Sequence, residues 1–266
     1  MNINILFIGD IVGKPGLNMV QTWLPSLEKK YRADLIIVNG ENVTDGKGLV
    51  KKDSTILFDL NVKVVTGGNH TWDRPQSQDL LKEEPRSLRP LNYPKGTYGN
   101  GYYIADTIKG KVGVINLQGR AFMAPIDCPF KTADWAISRI RRETKIIFLD
   151  FHAESTAEKM ALAKYLDGKV SIIAGTHTHI QTADERILSG GTGYITDVGM
   201  TGPYDSVIGM KTDAAINRFL LQTPQRYQTA TNDAHLCGLF SVVDGETGKT
   251  KKIERIIIPD FDREVE

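Results

Sequence analysis

The stretch that decides the fold is Ala174-Gly175-Thr176-His177-Thr178-His179, in which two histidines flank one threonine in a short polar turn. It follows residues 170–173 (VSII), an apolar run typical of a short buried strand. Histidines one residue apart in such a turn can direct both imidazoles into one pocket. Four of the five histidines in the chain follow strand-like runs in this way: His70, His152, His177 and His179. This placement indicates a metal site at strand ends.

Strand-like and helix-like patterns alternate through the rest of the chain. Apolar runs predict strands at residues 3–9, 34–38, 62–66, 111–117, 145–151, 170–174 and 193–198, with a closing antiparallel pair at 239–243 and 253–258. Amphipathic patterns predict helices at about 17–31, 53–60, 73–81, 132–142, 154–166 and 213–221. The alternation favours an α/β sandwich whose sheets are partly antiparallel.

Two segments carry more specific expectations. The helix at 154–166 is expected to bury a stripe made of Ala157, Met160, Ala163 and Leu166. Residues 83–101 contain three prolines and three glycines, so we expect an irregular excursion over the surface. We find no repeat and no linker, and we expect residues 1–266 to form a single domain.

Composition narrows the classes of protein that fit. The net charge is only +1, so no global field attracts nucleic acid or an anionic membrane. Cys128 and Cys237 lie in unrelated contexts, which indicates free thiols in a reducing compartment. Residues 1–10 lack the features of a signal peptide, and no apolar run approaches membrane length. We therefore expect a cytoplasmic protein with no membrane partner and no stable nucleic-acid complex, while homo-oligomerisation stays open.

Polar side chains stand just past the carboxyl ends of five predicted strands, where ligands bind in open α/β sheets. They are Asp10, Glu41 with Asn42, Asn69 with His70, His152, and His177 with His179. One tetrahedral ion needs about four protein ligands at most, so the set predicts two ions. A carboxylate has two oxygens, and Glu41 is the natural bridge between them. Two ions about 3.5–4 Å apart are the usual device for phosphate ester hydrolysis.

Each member of the set taken alone has an ordinary explanation. Asp10 alone would suit a helix N-cap and Asn69 a turn, while His152 alone would be a core histidine. Asn42 is about as well explained by hydrogen bonding to a ligand as by direct ligation. Residues 200–206 fit a lid, a subunit contact or a plain surface loop.

The motifs, taken in order, resemble those of calcineurin-like metallophosphoesterases: Gly9-Asp10, Gly40-Glu41-Asn42, Gly68-Asn69-His70, His152 and Gly175-Thr176-His177-Thr178-His179. Val12 stands where that superfamily usually has a histidine, and Gly-Glu-Asn stands where it usually has Gly-Asp. These departures, together with residues 67–73 and 197–203, are similar to the YmdB-like branch of bacterial phosphodiesterases. The resemblance implies a four-layer α/β/β/α metallophosphoesterase sandwich with mixed sheets, a di-iron or similar centre, and hydrolysis of cyclic nucleotides.

The predicted ligands divide into two groups that share Glu41, with the Asn42 amide oxygen replacing the missing histidine. The first ion is assigned to Asp10, Glu41, Asn42 and His179, and the second to Glu41, Asn69, His152 and His177. Imidazole, carboxylate and amide ligands without thiolate favour iron, with manganese or zinc as alternatives. His70 is left over beside a ligand, where it is expected to protonate the leaving oxygen, a step typically worth about 10²–10⁴-fold in rate.

The sequence therefore predicts a phosphodiesterase for a small phosphodiester, a 2′,3′- or 3′,5′-cyclic nucleotide, attacked by a metal-bridging hydroxide. A phosphomonoesterase using the same centre is the near alternative. A non-catalytic metal scaffold that regulates a protein or RNA partner is the more distant one.

Overall fold

The computed structural model describes residues 1–260, which form two six-stranded sheets and the helices that cover them. The strands are β1 Asn2–Ile8, β2 Leu35–Asn39, β3 Val64–Thr66, β4 Tyr102–Thr107, β5 Gly110–Gln118, β6 Ile147–His152, β7 Ile172–Thr176, β8 Arg186–Ile187, β9 Gly193–Ile195, β10 Gly202–Pro203, β11 Ala234–Asp244 and β12 Thr250–Ile258. The helices are α1 Gly13–Tyr31, α2 Lys51–Asp59, α3 Gln76–Glu83, α4 Pro129–Ile140, α5 Thr156–Leu166 and α6 Thr212–Leu221, with a 3-10 turn at Asn69–Trp72.

Both sheets are mixed, as predicted. The first has the order β10-β11-β1-β2-β3, with β12 also paired to β11. In it, β1, β2 and β3 run parallel while β11 is antiparallel to β1. The second has the order β4-β5-β6-β7-β9-β8, in which the four central strands are parallel and both edge strands are antiparallel.

Three apolar clusters define four layers. The central cluster lies between the sheets, where Phe7 of β1 packs on Phe148 of β6 with ring centroids 4.9 Å apart. A second cluster joins the outer face of the first sheet to α1 and α2. A third joins the outer face of the second sheet to α4 and α5. This is the predicted α/β/β/α sandwich.

The space between the sheets changes from apolar to polar along the strands. On β6 the inward positions run from Phe148 to Asp150 and then His152, because alternate residues share a face. On β2 the inward Ile37 is followed by Asn39, which is also fully buried. The carboxyl ends of the parallel strands thus enclose a buried polar layer, and this layer carries the candidate site.

Three local features differ from what the sequence predicts. In α5, Ala163 and Leu166 of the predicted stripe are buried, together with Lys159 and Leu162, whereas Ala157 is exposed and Met160 is 41% exposed. Lys159 can be buried because its Nζ lies 2.7 Å from Oδ2 of Asp197. The edge strand β4 escaped the sequence analysis because only Ala105 in it is buried. Residues 200–203 are buried and β10 pairs with β11, so a plain surface loop is the wrong interpretation there.

Other expectations hold or stay open. Residues 84–101 form no helix or strand, as predicted for the irregular excursion. The single-domain assignment of residues 1–266 stays a prediction, and its last part, 261–266, lies outside the described residues. Across residues 1–260, no helix combines the length and hydropathy needed to cross a bilayer.

Candidate active site

The side chains predicted as ligands meet at the carboxyl ends of β1, β2, β3, β6 and β7. They are, in chain order, Asp10, Glu41, Asn42, Asn69, His152, His177 and His179. Ligand atoms of Glu41, His152 and His177 lie within 4.8 Å of one another, and so do those of Asp10, Glu41 and His179. The structure therefore brings together two triads that share Glu41.

Hydrogen bonds fix the tautomer of His152, which is fully buried. Its Nδ1 lies 2.9 Å from the hydroxyl of Thr176, and that hydroxyl lies 2.7 Å from a carboxylate oxygen of Asp150. A hydroxyl has one proton, and Thr176 donates it to Asp150. Thr176 must therefore accept from Nδ1–H of His152, which leaves Nε2 of the neutral ring with its lone pair.

That Nε2 atom is surrounded by other electron pairs. Its neighbours are Oδ1 of Asn69 at 2.9 Å, Nδ1 of His177 at 3.0 Å and Oε1 of Glu41 at 3.1 Å. Burial lowers the pKa of His152, but the carboxylates of Glu41 and Asp10 outweigh it and raise the pKa to about 9. The pocket thus favours a positive charge between these atoms, and a metal ion supplies one directly.

The rings of His177 and His179 are also oriented by contacts with residues that belong to neither triad. Nε2 of His177 lies 3.0 Å from the carboxylate of Glu154, so its Nδ1 is the atom free to bind inward. Nδ1 of His179 donates to the carbonyl of Ile208 at 2.9 Å, which leaves its Nε2 facing the site. Burial, and then the nearby charge of His152, lower the pKa of His177 to about 3. Both rings therefore present lone pairs, as metal ligands must.

The two carboxylates differ in their surroundings. Asp10 accepts the backbone N–H of His177 at 2.9 Å through Oδ2, whereas its buried Oδ1 has no hydrogen-bond partner among residues 1–260. Burial, and the carboxylates of Glu41 and Asp197, raise the pKa of Asp10. For Glu41, burial alone would raise the pKa, but the charge and hydrogen bond of His152 lower it well below its usual range. An unpartnered buried oxygen beside an ionised carboxylate fits a cation site.

The two asparagines present different amide atoms to the predicted ligands. Asn69 directs its amide oxygen at Nε2 of His152, as a ligand would. Asn42 instead directs its amide nitrogen at Oε1 of Glu41, 2.9 Å away, and at Nε2 of His179, 3.3 Å away. Ligation through its oxygen requires the amide to rotate by half a turn, so this geometry favours hydrogen bonding to two predicted ligands.

His70 lies beside both triads but belongs to neither. Its Nδ1 is 2.9 Å from Oδ2 of Asp73, and its backbone N–H donates to Oε2 of Glu41 at 3.1 Å. The side chain is 28% exposed and lines the cleft that leads to the centre. Asp73 thereby orients the ring so that Nε2 is the atom left for a substrate. Asp73 was not predicted from the sequence, although its spacing of three residues from His70 within one turn was a signal.

Backbone geometry holds the donors close together. A Cβ added to Gly68 would stand 2.1 Å from Oε2 of Glu41 and 2.5 Å from Nε2 of His152, so only glycine fits there. His177 and His179 have φ angles of 100° and 66°, which non-glycine residues rarely adopt. Such residues cost about 1–3 kcal/mol each and cluster at functional sites.

Buried acidic groups support the histidine turn from below. Asp150 accepts from Asn39 at 2.9 Å, as well as from Thr66 and Thr176. It ties inward side chains of both sheets together beneath His152. Sequence reasoning passed over Asp150 inside its strand, although it shares the inner face of β6 with His152.

A second acidic support is Asp197. Its Oδ2 pairs with Nζ of Lys159 at 2.7 Å and accepts from the backbone N–H and hydroxyl of Thr178 at 3.0 and 2.7 Å. Lys159 and Asp197 are 1% and 0% exposed in their side chains. This buried pair fixes the residue between His177 and His179, and no local sequence pattern indicated it.

A cleft of about 320 Å³ opens onto the two triads. Its floor contains Glu41, His177 and His179, and its rim contains side chains that the sequence analysis gave no role: Lys47, Glu154, Arg218 and Tyr227. The geometry thus combines a buried cluster of metal-ligand type with an approach wide enough for a small molecule.

Comparisons with known proteins agree with this arrangement. The family model described as YmdB-like protein matches residues 6–256. The chain is 47% identical over 258 residues to the 2′,3′-cyclic-nucleotide 2′-phosphodiesterase of Bacillus subtilis, covering 97% of this chain and 98% of that protein.

Solved structures of other proteins share this fold. A novel phosphatase of Mycoplasma pneumoniae superposes with a TM-score of 0.92 at 38% identity, covering 97% of this chain and 94% of that one. A putative 5′-nucleotidase of Staphylococcus aureus superposes with a TM-score of 0.61 at 14% identity, covering 96% of this chain and 54% of that one. The second likeness shows the fold alone.

Proposed function

Because the chain belongs to the YmdB-like protein family and its buried donors form two triads that share Glu41, we propose that it is a metal-dependent phosphodiesterase that hydrolyses 2′,3′-cyclic nucleotides. The observation that carries the proposal is the ring of inward lone pairs around Nε2 of His152. The name of the Bacillus subtilis relative supports the choice of substrate.

Two ions held by these donors would supply an activated water and neutralise charge on the phosphate. The donor set of imidazole, carboxylate and amide favours iron, with manganese or zinc as alternatives. Asp10, Glu41 and His179 would hold one ion, with Asn42 hydrogen-bonded to two of them. Glu41, Asn69, His152 and His177 would hold the other.

The chain's own groups perform the remaining work. Attack of water at phosphorus forms a new P–O bond, releases a proton to the solvent and breaks the P–O2′ bond, so the departing O2′ must gain a proton. His70, oriented through Nδ1 by Asp73, delivers that proton from Nε2 and leaves a 3′-phosphate as product. Its position on the cleft wall, outside both triads, is the position this step requires.

The test is a substrate screen with protein purified without oxygen and analysed for metal. We expect about two ions per chain, with faster turnover of 2′,3′-cyclic nucleotides than of 3′,5′-cyclic nucleotides or monoesters. Faster turnover of monoesters would establish the phosphomonoesterase alternative, which the name of the Mycoplasma pneumoniae neighbour keeps open. Metal-loaded protein that cleaves no phosphate ester would favour a binding scaffold.

A further inference from the structure

One wall of the cleft comes from the segment between β10 and β11, which lies outside the strand ends that supply the donors. It contributes Ile208, Met210, Arg218 and Tyr227. The carbonyl of Ile208 accepts the Nδ1–H of His179 at 2.9 Å, so this wall is joined directly to a predicted ligand. A substrate whose phosphate lies at the triads must extend along this wall or away from it.

The two cations of the cleft differ in their contacts. Nζ of Lys47 lies 3.4 Å from a carboxylate oxygen of Asp73 and 5.8 Å from the centroid of the Tyr227 ring. Arg218 is exposed on α6, and its guanidinium makes no hydrogen bond or ion pair with any residue in the described range 1–260. Arg218 is therefore a positive charge that stays available at the mouth of the cleft. A guanidinium matches phosphate with two parallel hydrogen bonds.

The rest of this wall suits a nucleobase. The Tyr227 ring is half-buried and packs so closely on Gly46 that a Cβ there would stand 2.4 Å from it. Met210 is buried and Ile208 is 51% exposed, which gives an apolar surface beside the ring. Aromatic rings of this kind stack on bases without regard to sequence.

Resting on the proposed function, we propose that Arg218 binds a 5′-phosphate on the nucleoside whose 2′,3′-cyclic phosphate lies at the triads. The favoured substrate class is then a free ribonucleotide that carries a 5′-phosphate in addition to its 2′,3′-cyclic phosphate. The net charge of +1 argues against a long tract of RNA as the ligand. A single available arginine instead fits one additional phosphate.

The kinetic test compares adenosine 2′,3′-cyclic phosphate with the same compound bearing a 5′-phosphate. We expect the wild type to have the higher kcat/KM for the 5′-phosphorylated compound. In Arg218→Ala the ratio of the two kcat/KM values should fall about tenfold, through KM, because one charge-assisted contact is lost. Arg218→Lys should keep part of the preference. Arg226→Ala is the matched control, because Arg226 is exposed in the same segment and does not line the cleft.

A binding measurement separates this proposal from the proposed function. Calorimetry with adenosine 3′,5′-bisphosphate and adenosine 3′-phosphate needs no turnover. We expect the wild type to bind the bisphosphate more tightly, and Arg218→Ala to bind the two equally. Equal binding by the wild type, or an equal loss for both ligands in the variant, would overturn the role of Arg218 whatever the enzyme hydrolyses.

Discussion

The two triads share the carboxylate of Glu41 but differ in the exposure of the histidines that line the cleft. We call Asp10, Glu41 and His179 the sealed triad, because these residues are 0%, 2% and 8% exposed. We call Glu41, His152 and His177 the open triad, because the side chain of His177 is 21% exposed and contacts the surface residue Glu154. The cleft reaches both triads, through His179 in one and His177 in the other, but His177 is the more exposed of these two histidines. Donors that are less exposed should hold an ion more firmly than donors that are more exposed.

The shared residue gives the largest expected effect. Glu41→Gln replaces the carboxylate that the two triads share with a neutral amide. We therefore expect metal binding to weaken at both triads. We expect fewer than two ions per chain and a loss of activity of at least about 10³-fold, since in the proposed function both ions act on one phosphate. Metal analysis and turnover of bis-p-nitrophenyl phosphate measure this. Glu143→Gln, at a surface ion pair with Lys111, is the control. Full activity with two ions bound would rule out the bridging role.

His70 tests a group outside both triads. His70→Ala should keep its metal while turnover falls by about 10²–10⁴-fold, because only proton delivery is lost. Asp73→Asn should fall less, since the ring remains and only its orientation weakens. The loss in His70→Ala should be smaller for p-nitrophenyl esters, whose leaving group needs no proton, than for a cyclic nucleotide. An equal loss on both substrates would contradict proton donation.

Removing one histidine from each triad tests the comparison directly. His179→Ala should retain the ion of the open triad, and His177→Ala should retain that of the sealed triad. Because the sealed ion is expected to bind more tightly, His177→Ala should keep more metal during dialysis against a chelator. Metal content against time of dialysis measures the difference. Indistinguishable retention in the two variants would show that burial does not separate the two sites.

The smallest expected effect comes from the residue behind His177. Glu154→Gln keeps the size of the side chain but weakens its hold on the imidazole Nε2–H, which sets the orientation of the ring. Changes of this kind typically cost about 10–100-fold in metal affinity, and exposure places this one near the lower limit. Competition with a metal-sensitive dye measures it. Glu185→Gln, paired with Arg255 at the surface, is the control, and an unchanged affinity in Glu154→Gln would remove Glu154 from the site.

The sequence could indicate the predicted ligands, which the structure brings together, because their signal is local. A polar residue directly after an apolar strand is visible in the chain itself, and parallel strands carry all such positions to one edge. Gly-x-His-x-His at 175–179 is the clearest case. The supports were not visible for the opposite reason. Lys159 and Asp197 are 38 residues apart, and their pairing depends on how α5 packs against the strand ends.

The difference between local patterns and long-range contacts also explains the local errors in the predicted fold. Met160 had the right hydrophobicity for the buried face of α5, but that face includes Lys159, whose charge is paired with Asp197 across the fold. The edge strand β4 has too few buried residues to produce a strand pattern. The helix within the cleft wall was predicted from its pattern, but the position of the wall was not, because it depends on contacts with His179 and Gly46.

The close packing around Gly68 limits which substitutions this position can accept. Every single-nucleotide change of a glycine codon that alters the amino acid adds a Cβ, and here that atom would enter the space occupied by Glu41 and His152. We therefore expect glycine to be retained at this position during evolution, even though Gly68 is not itself a predicted ligand. We expect Gly68→Ala to be inactive although every predicted ligand is still encoded, because Glu41 and His152 must shift. Such a variant would show whether the position of these side chains matters as well as their presence.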